Sequence, residues 1–218
     1  MNIYENYKKI RSEIPENIEI IAASKTRSTG EIFDLINAGC KNIGENYVHE
    51  AVKKHSELGS DAKKLKWHLI GHLQGNKVSR AIEIFDVIQT VDSLKLAKEI
   101  DKRAEKQITI YVQVNIGEEK TKSGVKPDEL KNLITSITKL KNLKVAGLMT
   151  IEPYPINQED ARKYFRKMKI LYDEINNLKI PGVDLKILSM GMSNSYKIAI
   201  DAGSNMVRFG TMIFGERG

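Results

Sequence analysis

The sequence predicts an α/β protein: a (β/α)8, TIM-type barrel formed as a single domain over residues 1–218, with an additional helix in front of it. Three observations lead there. Eight short β-branched or apolar runs punctuate the chain, helical patterns separate them, and 218 residues suffice for one sizeable core but are short for two. Strand–helix alternation implies parallel strands joined by right-handed crossovers. Eight of them close into a compact barrel, whose usual size is about 250 residues. The alternative is an open doubly wound sheet, which normally carries a glycine-rich phosphate turn after its first strand. "AASKTRSTGE" is not G-x-G-x-x-G, so the barrel is preferred.

Taken in order, a leading helix is expected over 3–13. The first strand is "IEIIAAS" (18–24), and Ser28 and Thr29 ahead of Glu31 open a helix at 28–38. "NIGE" (42–45) precedes a helix at 46–58, and "WHLI" (67–70) one at 76–84. "DVIQTV" (86–91) is followed by Asp92 and Ser93, which start a helix at 93–105. After "ITIYVQVNI" (108–116), Pro127 with Asp128 and Glu129 begins a helix at 127–138. "LKVAGLMT" (143–150), "LKILSM" (185–190) and "MVRFG" (206–210) complete the strands, with helices at 159–178 and 194–202 between them.

With 41% hydrophobic and 29% charged residues, the chain reads as a soluble globular protein. Its one cysteine, Cys40, fits core packing and a reducing compartment. The N-terminus lacks the continuous apolar core of a signal peptide. No stretch approaches the roughly 20 apolar residues of a membrane span. A cytoplasmic protein without membrane partners is expected. The net charge of +7 raises nucleic acid as a partner. The lysines, however, are scattered through amphipathic segments among acids, as in "ARKYFRKMKILYDE", so a solvated surface is the better account. The only tryptophan, Trp67, begins a predicted buried strand rather than a stacking platform. The positive excess assists capture of a small anion.

In a barrel, the C-terminal strand ends converge on one mouth. Read in order, those ends carry Ser24 and Lys25, Glu45 and Asn46, His68 and His72, Thr90 and Asp92, Asn115, Met149 and Thr150, Ser189, and Arg208. So many polar groups read as a lined pocket. The turns "SMGMS" and "RFGTMIFG" put Gly191, Ser193, Gly210 and Thr211 where barrel enzymes commonly hold a phosphate. Glycine lets backbone N–H groups approach an anion, and hydroxyls donate further bonds. Ser193 is also placed to open the helix at 194–202.

Lys25 then needs an explanation, at the tip of a buried strand. Partial desolvation favours a neutral, nucleophilic amine able to form a Schiff base. A ligand with an aldehyde at one end and a phosphate at the other fits this pair: pyridoxal 5′-phosphate. The plainer account is a lysine snorkelling to salt-bridge Glu45. Arg208, a donor only, would bond the pyridine nitrogen unprotonated and make the ring a poor electron sink; a structural pairing with a carboxylate is the other option. Asn46 either caps the second helix or touches the cofactor. His68 and His72 flank Gly71 in "HLIGH", which is no helical zinc motif, so a pocket wall or a hydrogen-bonded core histidine is expected.

The motifs "AASKT", "IGENYVHEA", "WHLIGHLQGNK", "VQVNIGEEKTKSG", "GLMTI", "SMGMSNS" and "MVRFGTMIFGERG" span almost the whole chain. Together they resemble the pyridoxal phosphate homeostasis protein family, a barrel similar to the N-terminal domain of alanine racemase. The resemblance implies that Lys25 forms a covalent aldimine with pyridoxal 5′-phosphate. It implies Asn46 and Met149 beside the ring and Arg208 at its nitrogen. It further implies phosphate ligands from Ser189, Met190, Ser193, Gly210 and Thr211. The implied role is binding and delivery of the cofactor in vitamin B6 homeostasis, without an established catalytic reaction. Pyridoxal phosphate-dependent apo-enzymes are the expected recipients, and a monomer is the expected state. Three positions depart from the family pattern: Ser195 stands where aspartate is usual, Asn205 replaces a threonine, and Gly75 replaces a serine.

An amino-acid racemase of the same fold is the competing function. It needs a base on each face of the substrate carbon, and similar racemases take the second, a tyrosine, from a separate C-terminal β-domain of a partner subunit. Here the sequence continues only eight residues past Gly210, to Gly218, which favours the carrier.

Overall fold

The computed structural model describes residues 2–119, 121–153 and 157–216. Helix α1 (Ile3–Glu13) leads. Then β1 (Glu19–Ala23), α2 (Thr29–Asn37), β2 (Asn42–Glu45), α3 (Val48–Leu58), β3 (Lys66–Leu69) and α4 (Val78–Ile84) follow in turn. They are succeeded by β4 (Val87–Val91), α5 (Leu94–Arg103), β5 (Ile108–Val114), α6 (Leu130–Ile137), β6 (Leu143–Thr150) and α7 (Gln158–Asn177). Strand β7 (Ile187–Ser189), α8 (Tyr196–Asp201), β8 (Met206–Phe209) and α9 (Thr211–Phe214) end the succession. The strands pair in chain order, all parallel, and β8 closes on β1. The predicted TIM-type barrel with a leading helix is the fold.

Alternation along each strand sends one set of side chains outward and the other inward. Outward residues such as Ile43, Trp67, Leu69, Ile88, Val112 and Leu188 pack against the ring of helices in the main core. Inward, Ile21, Val87, Tyr111, Met149 and Met206 fill the barrel centre. A third cluster seats α1 through Ile3, Tyr7 and Ile10 against Leu35 of α2, Phe209 of β8 and Phe214 of α9. Cys40 is buried in that cluster, and burial pushes its thiol up to about 11, in keeping with a packing role. Trp67 is buried too, its Nε1 donating to the Ala62 carbonyl at 3.0 Å.

Local signals explain the boundaries. Ser28 caps α2 in a reciprocal box: its hydroxyl accepts from the Glu31 amide, and the Glu31 carboxylate accepts from the Ser28 amide at 2.7 Å. Ser93 caps α5 in one direction only, accepting from Leu96 N–H at 3.3 Å, since Leu96 has no side-chain acceptor to return the bond. Two expectations needed correction. The helix expected from 194 starts at Tyr196, because the Met192 carbonyl takes both the Ser195 and Tyr196 amides, at 2.9 and 2.8 Å, and holds 193–195 as a turn. Ser193 therefore does not open a helix. Helix α9 was not foreseen, being four residues long and too short to show a period.

Candidate cofactor-binding site

β1 ends at Ala23, and Lys25 emerges half-buried from the turn behind it. The salt bridge to Glu45 does not form. Glu45 pairs instead with Lys54 at 2.7 Å, and among the described residues Lys25 has no ion-pair partner. Its side chain lines a cavity of about 370 Å³. The same cavity is lined by Asn46 after β2, Ser193 after β7, and Arg208, Gly210 and Thr211 at the end of β8. Six of the nine residues singled out from sequence are thus brought together.

The two glycine-containing turns meet. Thr211 Oγ1 lies 3.4 Å from Ser193 Oγ across the gap between them. Gly191 adopts φ +93°, and its carbonyl accepts the Arg208 amide at 3.1 Å, tying the β7 turn to β8. The amides of Ser193, Asn194, Thr211 and Met212 have no acceptor among the described residues. Free N–H groups and two hydroxyls in one place form a donor-rich cradle suited to an anion. This donor set and the cavity volume fit a small phosphorylated ligand.

Arg208 is buried at the cavity floor, where it donates to Ser189 Oγ at 2.7 Å and to the Thr150 carbonyl at 2.8 Å. Burial pulls its guanidinium down to about 10, opposed by the Glu152 carboxylate, so it stays charged at neutral pH. From Arg208 a line of buried hydrogen bonds runs into the barrel. Ser189 Oγ donates to Gln89 Oε1 at 2.9 Å, Gln89 Nε2 donates to His68 Nδ1 at 2.9 Å, and His68 Nε2 donates to Asn42 Oδ1 at 3.2 Å. The polarity follows from chemistry: an arginine only donates. In this direction every donor finds an acceptor, whereas the reverse would strand the Ser189 proton. His68 is consequently the neutral Nε2–H tautomer, and burial draws its pKa down to about 3. It is the hydrogen-bonded core histidine that the sequence suggested.

The other three expected residues do not line the cavity. Ser189 is wholly buried between Arg208 and Gln89, with its hydroxyl proton committed to Gln89. Met149 fills the barrel centre. Met190 faces the helices, and its amide is taken by the Met206 carbonyl at 3.1 Å. They form the support beneath the cavity. Other strand-end groups brace loops: Thr90 Oγ1 donates to the Gly71 carbonyl at 2.8 Å, and Asn115 Nδ2 to the Glu119 carbonyl at 2.8 Å.

Sequence reasoning missed Gln89, Lys54 and Glu152. A glutamine inside the apolar run "DVIQTV" and a lysine in the stripe Val48–Ala51–Lys54–Leu58 were the available signals. The departures from the family pattern are accommodated. Ser195 Oγ accepts the Met192 amide at 3.0 Å and donates to the Glu152 carboxylate, so a buried acid still braces this turn. Asn205 links the last strands, its Oδ1 accepting from Leu188 N–H at 2.8 Å and its Nδ2 donating to the Lys186 carbonyl at 2.7 Å.

A family model described as alanine racemase, N-terminal domain, matches residues 1–218. The pyridoxal phosphate homeostasis protein of Aquifex aeolicus is 44% identical over 202 residues, covering 91% of this chain and 87% of its own. The chain belongs to the pyridoxal phosphate homeostasis protein family, within the alanine racemase N-terminal domain group. Another member of the family, from Escherichia coli K12, is 38% identical over 211 residues, covering 93% of this chain and 87% of its own. The structure of PipY from Synechococcus elongatus PCC7942 with pyridoxal phosphate bound superposes with a TM-score of 0.90 at 33% identity, covering 98% of this chain and all of that one. Alanine racemase of Clostridium difficile 630 shares the barrel alone, with a TM-score of 0.85 at 18% identity over 99% of this chain and 57% of its own.

Proposed function

We propose that this protein binds pyridoxal 5′-phosphate as a Schiff base on Lys25 and serves intracellular vitamin B6 homeostasis as a carrier, without catalysing a reaction of its own. The observation that carries this reading is the convergence, on one cavity, of an unpaired half-buried lysine, a buried arginine and the donor cradle of the last two turns. When bound, pyridoxal phosphate supplies an aldehyde that condenses with an amine. Lys25 provides that amine, and Asn46 lines the cavity beside it. Arg208 presents donors to the ring nitrogen, and its commitment to Ser189 and Thr150 fixes the orientation of its plane. Ser193, Gly210 and Thr211 receive the phosphate, while Met149, Ser189 and Met190 act through the support beneath. The relatives named for pyridoxal phosphate homeostasis and the loaded PipY structure point the same way.

The test is an absorbance spectrum of the purified protein with and without pyridoxal phosphate, followed by borohydride reduction and peptide mass analysis. A band near about 420 nm that moves the reduced label onto Lys25 is expected, and Lys25→Ala abolishes both while the fold persists. A label on another lysine overturns the assignment. Loaded protein given L- and D-alanine in deuterated water is expected to leave the α-carbon unexchanged. Rapid exchange would establish a racemase instead.

A further inference from the structure

Lys54 occupies the apolar stripe of α3 yet carries a charge, and it is buried. Its Nζ donates to the Ser24 carbonyl at 2.7 Å and pairs with Glu45 Oε1 at 2.7 Å. Glu50 Oε2 lies 3.5 Å away on the same helix. Glu45 is itself fully buried, and its Oε1 also accepts the Ser24 hydroxyl at 2.5 Å. On the other side of Lys25, the Thr26 amide donates to Glu50 Oε2 at 2.9 Å. Thr26 has φ +66°, a conformation that a non-glycine residue holds only when its surroundings impose it. Lys54 and Glu50 of α3 therefore hold the two peptides flanking Lys25, and Glu45 of β2 holds Lys54 and the Ser24 hydroxyl in turn.

Stability is a poor explanation for this arrangement. A buried ion pair loses so much hydration that apolar replacements of equal volume are often as stable or better. Here Glu45 Oε2 has no hydrogen-bond partner among the described residues. Burial raises the Glu45 carboxyl above its ordinary pKa despite Lys54 and Ser24. What the cluster does achieve is geometric: it fixes the backbone from which Lys25 projects into the cavity.

We propose that Lys54 and Glu45 are positioning residues for Lys25, holding its main chain so that the amine meets an aldehyde in the cavity. This rests on the assignment of Lys25 made above. The condensation it serves is redox-neutral: one C=N bond forms, and the aldehyde oxygen leaves as water with the two amine hydrogens. Ring and phosphate recognition lie elsewhere in the cavity and do not need the clamp.

That separation supplies the test. Lys54→Met, and Lys54→Met with Glu45→Gln to avoid an uncompensated carboxylate, are compared with the unaltered protein for two ligands. Pyridoxal phosphate carries the aldehyde; pyridoxine 5′-phosphate has the same ring and phosphate but an alcohol. Binding of the aldehyde is expected to weaken by about tenfold or more, with the alcohol within about twofold. Parallel weakening of both, or no change in either, overturns the proposal. In the ligand-free protein, the rate at which Lys25 is acylated by a small reagent, read by peptide mass against the other lysines, is expected to fall in the variants. An unchanged rate also overturns it. This second measurement stands even if borohydride labels a lysine other than Lys25, so failure of the clamp and failure of the Schiff-base assignment are told apart.

Discussion

Gln89 projects inward from the middle of β4 and is fully buried, between the Ser189 hydroxyl and the His68 ring. A buried amide is tolerated because each of its ends is satisfied. Gln89→Leu conserves approximate volume but leaves two buried polar groups unpartnered, at about 1–3 kcal/mol each. A total loss of about 2–6 kcal/mol in urea unfolding is the expected outcome. An unchanged midpoint would mean that the chain from Arg208 to Asn42 is not formed. At the same scale, the sequence disclosed Lys25 and Arg208 because an ionisable residue at the end of an apolar strand is conspicuous. It did not disclose Gln89's role, since whether a strand residue points inward depends on phase, and the β4–β5 pairing shifts register between Ile88 and Val91.

Among the elements, the β7–β8 connection decides whether the anion cradle exists. Strand β7 has three residues and pairs with β8 only through Ser189 and Met206. Its turn depends on other supports: Asn205 side-chain bonds, the Ser195–Glu152 contact, and Gly191. An added Cβ at Gly191 would lie 2.5 Å from Ala199 Cβ and 3.2 Å from Tyr196 Cα, on a φ of +93° that L-residues rarely adopt. Gly191→Ala is therefore expected to cost about 1–3 kcal/mol and to weaken phosphate-bearing ligands more than the global loss explains. Thermal unfolding and titration with inorganic phosphate check this; wild-type stability in the variant would remove the steric argument. Helix periods and caps made α1 to α7 legible within a few residues. Helix α8 was legible to the same tolerance, whereas α9 was not, because four residues hold too little of a 3.6-residue repeat to show one.

Across the whole molecule, acid stability reports on the polar chain inside the barrel. His68 has a folded pKa of about 3, well below the ordinary histidine value of 6.5, because burial opposes its charged form. The depressed value means that its contribution is intact above pH of about 6.5 and is lost progressively as the pH falls toward about 3. The unfolded chain takes up the proton over that window while the folded chain does not. Stability should fall by about 1.4 kcal/mol per pH unit from this group, or about 2 kcal/mol between pH 6.5 and 5. His68→Gln should flatten that slope. Equal slopes in both proteins, measured by denaturant unfolding, would place the titrating group elsewhere.

The order of strands and helices, the closure into eight, and the identity of the lysine, arginine and hydroxyl groups at the mouth were determined by the sequence itself. These depend on local periodicity, on capping chemistry and on the rule that parallel strand ends converge. Which partners those groups take was decided only in three dimensions. Glu45 chose Lys54 over Lys25, Ser189 turned to Gln89 rather than to the cavity, and Glu152 came to brace Ser195. The reason is physical: inside a barrel, a side chain's neighbours come from strands many residues away, and burial forces each polar atom to take whichever partner that stagger presents.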